Sequence, residues 1–117
     1  MGPQTATLTL DIDGKHETTQ ATGNGPVDAI FNAIHALVPH EAKLELYQVH
    51  AVTEGTDAQA EVSVRLAHDG RSFTSRGADP DTLVASAKAY LGALNKMTSK
   101  RNKTPAVERR IHSQEAG

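Results

Sequence analysis

The sequence predicts a small α+β domain made of a duplicated unit of the β-β-β-α type. Two segments alternate apolar and polar residues and each contains a hairpin turn, at Asp13-Gly14 and at Asp69-Gly70. Each hairpin is followed by a glycine-containing loop and by apolar residues at helical spacing. Because 117 residues suit one domain, we expect one small antiparallel or mixed sheet with both helices on one face.

The first half covers about residues 5–40. Thr5 to Ile12 alternates apolar and polar side chains, as a half-buried strand does, and Lys15 to Ala21 is the returning strand. Proline is tolerated at the first helical position, where an N–H is not needed, so a helix is expected to begin at Pro26. The apolar positions from Val27 to Val38 form its buried stripe.

The second half covers about residues 43–97. Leu44 to Thr53 has apolar residues on both faces, which indicates a central strand that joins the two halves. A second hairpin follows up to Arg76, and Asp79 is the expected N-cap of a second helix. In an alignment of the halves, Gly77 matches Gly23 and Pro80 matches Pro26, with a gap of two residues before the helix.

The two ends of the chain are expected to lie outside the domain, which spans 5–97. Residues 1–4 are a disordered start, and 98–117 carry few large apolar side chains and read as a flexible tail. A sheet with helices on one face only leaves its other face and its edges open. Dimerisation is therefore expected to complete the fold.

Composition excludes several classes of function. A net charge of −2 gives no basic surface for nucleic acid, and the absence of cysteine removes disulfides and thiolate metal sites. The six histidines lack metal-binding spacing, no apolar stretch has the length of a membrane span, and no nucleophile has an assigned base. We expect a soluble cytoplasmic domain with no catalytic residues, metal or cofactor.

The two glycine loops are the most informative positions for binding. A helix N-terminus offers free backbone N–H groups, and the helix dipole favours a carboxylate or phosphate there. The same loops also fit a helix entry in which glycine serves only the backbone conformation. From the loops alone, both interpretations stay open.

Four segments together carry a family resemblance. They are Thr22-Gly23-Asn24-Gly25-Pro26-Val27-Asp28-Ala29, Leu44-Glu45-Leu46-Tyr47, Thr56-Asp57-Ala58-Gln59-Ala60-Glu61-Val62 and Ser86-Ala87-Lys88-Ala89-Tyr90-Leu91. In this order they closely resemble the C-terminal regulatory domain of 2-isopropylmalate synthases, a family that includes citramalate synthases. The resemblance covers roughly Thr5 to Met97.

The resemblance implies a regulatory role in leucine biosynthesis. In that family an N-terminal TIM barrel with a divalent metal condenses acetyl-CoA with 2-oxoisovalerate, and no part of this barrel is in the sequence. The chain alone is therefore not expected to be an enzyme. The family's regulatory domains form a homodimer that binds the end product, L-leucine, between the two halves, and they act on the barrel of the same enzyme.

Carried over by residue, the resemblance places the effector's carboxylate at the loop of Gly23, Asn24 and Gly25. Free N–H groups there would bind it. Asp57 is expected to face the ammonium group.

A second lining segment consists of Ala58, Gln59 and Ala60, whose alanines leave room for an isobutyl group. The apolar wall of the site is expected to come from Ala29, Tyr47 and Val84. Each of these three positions also suits ordinary core packing.

Three other functions compete with leucine sensing. A dimerisation module without a ligand keeps the fold and loses the effector. An isoleucine-sensing domain of a citramalate synthase keeps the allosteric role and changes the effector. An unrecognised small enzyme requires a cleft with a strongly perturbed acid or base, for which the sequence offers no pattern.

Overall fold

The computed structural model describes residues 4–12, 14–52, 58–98, 106–107 and 112–115. The chain forms two units, the first made of Met1–His40 with Pro105–Gly117 and the second of Glu41–Thr104. Each unit has one antiparallel sheet and one helix, which confirms the α+β class. The strands form two sheets rather than the single sheet expected. Each hairpin pairs only with further strands of its own unit.

Unit 1 begins with a two-stranded hairpin. Strand β1 (Gln4–Ile12) pairs with β2 (Lys15–Gly23), and helix α1 (Pro26–Leu37) packs on both strands. Gly14 has a φ of 79°, which glycine adopts without steric penalty and which the tight turn requires. The alternate side chains of β1 are fully buried, as the sequence predicts; they are Ala6, Leu8 and Leu10.

Unit 2 is a three-stranded sheet with one helix. Its strands are β3 (Lys43–Val52), β4 (Ala60–His68) and β5 (Arg71–Asp79), and helix α2 (Thr82–Thr98) packs on β4 and β5. The sheet order is β3-β4-β5, so the prediction that the first of these strands is central is wrong.

Strand β3 lies at the sheet edge despite its apolar side chains. Leu44 is 46% exposed and Val49 is 42% exposed, so apolar residues on this strand do not report burial on both faces. The central strand is instead β4, where Val62, Val64 and Leu66 are fully buried. Helix α2 packs on β4 and β5, so the apolar side chains of β3 are left partly exposed.

The N-cap of α2 is Asp81 and not the predicted Asp79. The carbonyl oxygen of Asp81 accepts the first helical bond from the Ala85 N–H at 2.9 Å. The Asp81 carboxylate also accepts the Leu83 N–H at 2.8 Å, as an N-cap does. Asp79 instead ends β5 and accepts the Asp81 N–H at 3.0 Å.

The duplication extends through both units at a constant offset of 56 residues. Strand β1 (Gln4–Ile12) corresponds to β4 (Ala60–His68), and β2 (Lys15–Gly23) corresponds to β5 (Arg71–Asp79). The alignment of the two halves needs no gap before the helix, because the N-caps Gly25 and Asp81 are separated by the same 56 residues. The predicted match of Gly23 with Gly77 and of Pro26 with Pro80 is therefore wrong by two residues.

Two short strands lie beyond α2, in the stretch that is predicted from the sequence to be a flexible tail. Strand β6 (Ala106–Val107) and strand β7 (His112–Glu115) both pair antiparallel with β1. Backbone hydrogen bonds to an open sheet edge need no apolar side chain, so the composition of these segments does not reveal them. At the other end of the chain, β1 already includes Gln4.

Unit 2 is expected to lose stability in alkali through Tyr90. Burial in α2 raises the pKa of its phenol to about 12, against an ordinary value of 10.0. The folded state therefore binds the phenol proton more tightly, and its contribution is complete below pH 10.0 and is lost as the pH rises towards 12. Urea unfolding between these limits is expected to show a loss of up to about 2 kcal/mol.

The control for this pH dependence is Tyr90→Phe, which keeps the ring and removes the ionisation. Its free energy of unfolding is expected to fall less steeply over the same pH range. Equal slopes for the two proteins would contradict the assignment to Tyr90.

Candidate effector-binding site

The junction of β2 and α1 brings together four of the predicted site residues. Gly23 is the last residue of β2, and Asn24 leads to Gly25, which is the N-cap of α1 with an extended backbone at φ −154°. The Ala29 N–H donates the first helical bond to the Gly25 carbonyl at 2.9 Å, and the Ala29 side chain is buried. Ala29 therefore belongs to the core behind the junction.

Free N–H groups remain at the start of α1. Pro26 has no N–H, and Gly25 has no side chain that caps the helix. Within the described part of unit 1, the N–H groups of Val27 and Asp28 thus have no side-chain cap. The helix dipole favours an anion at this end, so the junction can accept a carboxylate.

Asp28 changes the electrostatics of this loop and was not among the predicted residues. Its Oδ2 accepts the Asn24 N–H at 2.9 Å, so that N–H is already used within the protein. An acid in the first helical turn is stabilised by the helix dipole. The position of Asp28 in the motif Gly-Asn-Gly-Pro-Val-Asp is the sequence feature from which its role at the junction was predictable. The junction thus offers N–H donors and one carboxylate side by side.

The two glycines of the loop have different roles. A Cβ on Gly23 would lie 2.6 Å from the Ala29 nitrogen, so this glycine permits the close approach of strand and helix. A Cβ on Gly25 would meet no heavy atom within 4 Å. Neither has a positive φ. The close packing of α1 on β2 explains why a glycine stands at position 23. The space around Gly25 has no such packing explanation and is compatible with a bound ligand.

In unit 2 the predicted residues lie at the corresponding end of the sheet. Ala60 begins β4, is buried, and pairs with Asp79 at the end of β5. Ala58 is half-buried and Gln59 is exposed just before this strand. Val84 is buried in the first turn of α2. The predicted Asp57 lies outside the described residues.

Tyr47 contacts α2 through its hydroxyl group. The Ser86 Oγ donates to the Thr82 carbonyl at 2.7 Å and lies 2.8 Å from the Tyr47 hydroxyl. Because the single proton of Ser86 is used, the Tyr47 hydroxyl donates to Ser86. Tyr47 therefore links β3 to the buried Ser86 of α2 as well as being a candidate wall residue.

The two equivalent ends differ in charge. In unit 1 the Asn32 amide donates to the Thr22 carbonyl at 2.8 Å, and at the same repeat position Lys88 reaches the Ala78 carbonyl at 3.5 Å. Lys88 also pairs with the buried Asp79 at 3.0 Å, where unit 1 has a glycine.

Protein carboxylates therefore already occupy the unit 2 end. Asp79 accepts the Asp81 N–H, and the Asp81 carboxylate caps Leu83. At the unit 1 end the Asp28 carboxylate accepts the Asn24 N–H, and the N–H groups of Val27 and Asp28 have no side-chain cap. The unit 1 junction therefore keeps helix N–H groups that are not used by a protein carboxylate.

One open groove lies elsewhere in unit 2. It has a volume of about 410 Å³, is next to the β4–β5 turn, and contains none of the predicted site residues. Its lining consists of Glu41, Lys43, Ala67, His68, Asp69 and Gly70. Within the described residues, no three His, Asp or Glu side chains are grouped as metal ligands. No described helix has the length and apolarity to cross a membrane.

The chain matches a known protein family over most of its length. The profile of the LeuA allosteric (dimerisation) domain matches residues 2–98. The chain belongs to this family. Relatives that are 71–76% identical over 87–98% of the chain are 2-isopropylmalate synthases, which confirms the resemblance found in the sequence.

Three relatives illustrate the extent of the similarity to the LeuA family. The 2-isopropylmalate synthase of Bradyrhizobium diazoefficiens is 76% identical over 102 residues, which are 87% of this chain and 20% of that protein. The enzyme of Rhodopseudomonas palustris strain TIE-1 is 75% identical over 88% of the chain and 20% of its own length. That of Methylobacterium nodulans is 71% identical over 98% of the chain and 21% of its own length. The chain thus spans about a fifth of these relatives and corresponds to their allosteric dimerisation domain.

Proposed function

We propose that this LeuA-family domain senses L-leucine and mediates end-product feedback inhibition of a 2-isopropylmalate synthase. The observation that carries the proposal is the match of residues 2–98 to an allosteric dimerisation domain, together with relatives that are named for this enzyme. The proposal includes a homodimer in the cytoplasm and a catalytic barrel in the complete enzyme. Leucine is the effector because it is the end product of the pathway that the resemblance implies.

The β2–α1 junction of unit 1 supplies chemistry that suits an α-amino acid. The N–H groups of Val27 and Asp28, at the positive end of the helix dipole, are proposed to donate to the ligand's carboxylate. The carboxylate of Asp28, which accepts the Asn24 N–H, is proposed to accept the ammonium group. Gly25 leaves space above the junction for the ligand.

The remaining predicted residues keep narrower roles in the proposal. Ala58, Gln59 and Ala60 are proposed to line the effector's side chain, and Asp57 is proposed as a second partner of the ammonium. Tyr47 and Val84 are proposed to form the apolar wall of the site, with the Tyr47 hydroxyl hydrogen-bonded to Ser86 of α2.

Feedback inhibition requires that leucine bind one arrangement of the domain more tightly than another. A typical coupling free energy of about 1–3 kcal/mol corresponds to an affinity ratio of about 5–150. A domain made of two units, each with its own core, can provide such alternative arrangements.

The test is a calorimetric titration of the chain with L-leucine, accompanied by a measurement of its mass in solution. L-isoleucine, L-valine and D-leucine serve as control ligands. Saturable, stereoselective binding of leucine to a dimer is expected. Preference for isoleucine would favour the regulatory domain of a citramalate synthase, and a folded dimer that binds none of them would favour a dimerisation module without a ligand.

The variant Asp28→Asn tests the ammonium contact. It keeps an oxygen for the Asn24 N–H and removes the charge, so leucine affinity is expected to fall about tenfold or more. The matched control is Asp69→Asn, which removes one carboxylate at the β4–β5 turn, where asparagine tolerates the φ of 52°. Equal affinities of the two variants would remove Asp28 from the site.

A further inference from the structure

The dipeptide Asn24-Gly25 at the β2–α1 junction differs from the other asparagine positions of the sequence. Of the four asparagines, this is the one that is followed by glycine. The others precede alanine or lysine; they are Asn32, Asn95 and Asn102. Asparagine is thermolabile because the backbone nitrogen of the next residue attacks its side-chain amide. Glycine has no Cβ to hinder this attack, so the sequence favours it most at Asn24.

The structure leaves both reacting groups of this dipeptide accessible. Asn24 and Gly25 lie in a bend between β2 and α1, and Asn24 is exposed. Within the described residues the Asn24 side-chain amide has no hydrogen-bond partner, and no group accepts the Gly25 N–H. The hydrogen bonds to Asp28 and Ala29 use the Asn24 N–H and the Gly25 carbonyl, which belong to the neighbouring peptide units. Bond formation between side chain and Gly25 nitrogen therefore breaks no described hydrogen bond.

The other asparagines in the described part of the chain lack this freedom. Asn32 lies in α1 and donates to the Thr22 carbonyl at 2.8 Å, and Asn95 lies in α2. In a helix the next backbone nitrogen is held by the helical hydrogen bonds, so local unfolding must precede any attack. In the repeat, the equivalent dipeptide is Pro80-Asp81. The reactive position is thus confined to the unit 1 junction.

We propose that Asn24 is a deamidation site, at which the chain changes the charge of its own β2–α1 junction. The Gly25 nitrogen forms a bond to Cγ of Asn24, and the side-chain nitrogen leaves as ammonia with the proton that the Gly25 nitrogen gives up. Water then opens the resulting succinimide ring at either carbonyl, which yields aspartate or isoaspartate at position 24. In total one water is consumed and one ammonia is released, and no oxidant or reductant takes part.

The product places a second carboxylate beside Asp28. Asp28 already accepts the Asn24 N–H at 2.9 Å, so the two carboxylates belong to residues in direct contact and repel each other. The new charge also repels any anion that approaches the first N–H groups of α1. The regulatory consequence rests on the proposed leucine function: deamidation is expected to weaken leucine binding in aged chains.

The experiment follows the masses of peptides from the folded chain during incubation at neutral pH. Deamidation exchanges NH₂ for OH and adds about 1 Da, and fragmentation of the peptides locates the change. Asn24 is expected to react at least about tenfold faster than Asn32 or Asn95, which corresponds to a barrier lower by about 1.4 kcal/mol. Equal rates at the three positions would overturn the proposal. Aspartate without isoaspartate would show direct hydrolysis and would overturn the ring-closure step.

The matched control is Gly25→Ala, which keeps Asn24 and adds a Cβ beside the attacking nitrogen. The added Cβ meets no heavy atom within 4 Å, so the variant is expected to fold. Its deamidation at position 24 is expected to be about tenfold slower than in the unsubstituted chain. Equal rates in the two proteins would show that the Gly25 nitrogen is not the attacking group, and would overturn the proposal.

A leucine titration tests the regulatory consequence separately. Asn24→Asp reproduces the charge of the product, whereas Asn24→Gln keeps a neutral amide at the same position. The aspartate variant is expected to bind leucine about tenfold more weakly than the glutamine variant, a difference of about 1.4 kcal/mol. Equal affinities would overturn the regulatory consequence. If the unsubstituted chain binds no leucine, the proposed function fails, whereas the mass measurement still decides whether Asn24 is a deamidation site.

Discussion

Replacing Gly77 with alanine is expected to unfold unit 2 or to leave it barely stable. Gly77 lies in β5 where the strand passes under α2, and an added Cβ would collide with the Ala85 carbonyl oxygen and lie 2.7 Å from the Ala89 nitrogen. Both are backbone atoms of the helix, so no rotamer change relieves the collision. Overpacking typically destabilises by about 1–3 kcal/mol, and we expect at least the upper value here.

Urea unfolding followed by the amide signals of β4 measures this effect. A loss of about 3 kcal/mol is a large part of the total stability of a small domain, which is about 5–15 kcal/mol. The control is Gly25→Ala, because a Cβ there meets no atom within 4 Å and its extended φ suits any residue, so the only expected cost is that of alanine at an N-cap, about 1 kcal/mol or less. If both variants unfolded at the same urea concentration, the close packing of β5 against α2 would not be the reason for a glycine at position 77.

Replacing Lys88 with methionine is expected to give the second large loss of stability. Asp79 is 1% exposed, and its carboxylate is held by the Lys88 ammonium at 3.0 Å and by the Asp81 N–H at 3.0 Å. Methionine keeps the length of the side chain and leaves the buried carboxylate without this cation. Breaking a buried pair costs about 3–5 kcal/mol, and because Lys88 is 39% exposed we expect about 2–3 kcal/mol.

The double variant Lys88→Met with Asp79→Asn separates charge burial from packing. Asparagine retains an oxygen for the Asp81 N–H and has no charge, so most of the lost stability is expected to return. Lys15→Met, at an exposed position of β2, is the control for the substitution itself. A double variant no more stable than Lys88→Met would show that the carboxylate does not cause the loss.

The local elements of the fold were predictable because each depends on nearby residues. Alternation over Thr5 to Ile12 predicts the buried row of β1, and the Asp-Gly turns place both hairpins in the correct register. Pro26 marks the first residue of α1. The second N-cap was misplaced at Asp79 because Asp79 and Asp81 are both good capping residues, and only the position of the helix distinguishes them.

The candidate site was only partly predictable. The glycine motif correctly indicates the helix start at Gly25, since the motif and the helix are adjacent in the chain. The role of Asp28 depends on the direction of its side chain towards Asn24, and the role of Gly23 depends on the distance to Ala29. Such distances follow from packing rather than from residue type.

The residues of this chain are sufficient to predict its family, its duplication and its helices, because motifs and periodicity are properties of neighbouring positions. The three-dimensional arrangement decides which strands become neighbours. It places β3 at an edge, divides the strands between two sheets and pairs the short strands β6 and β7 with β1. The physical reason is that strand pairing uses backbone N–H and C=O groups, which nearly every residue carries and which therefore leave little trace in the sequence.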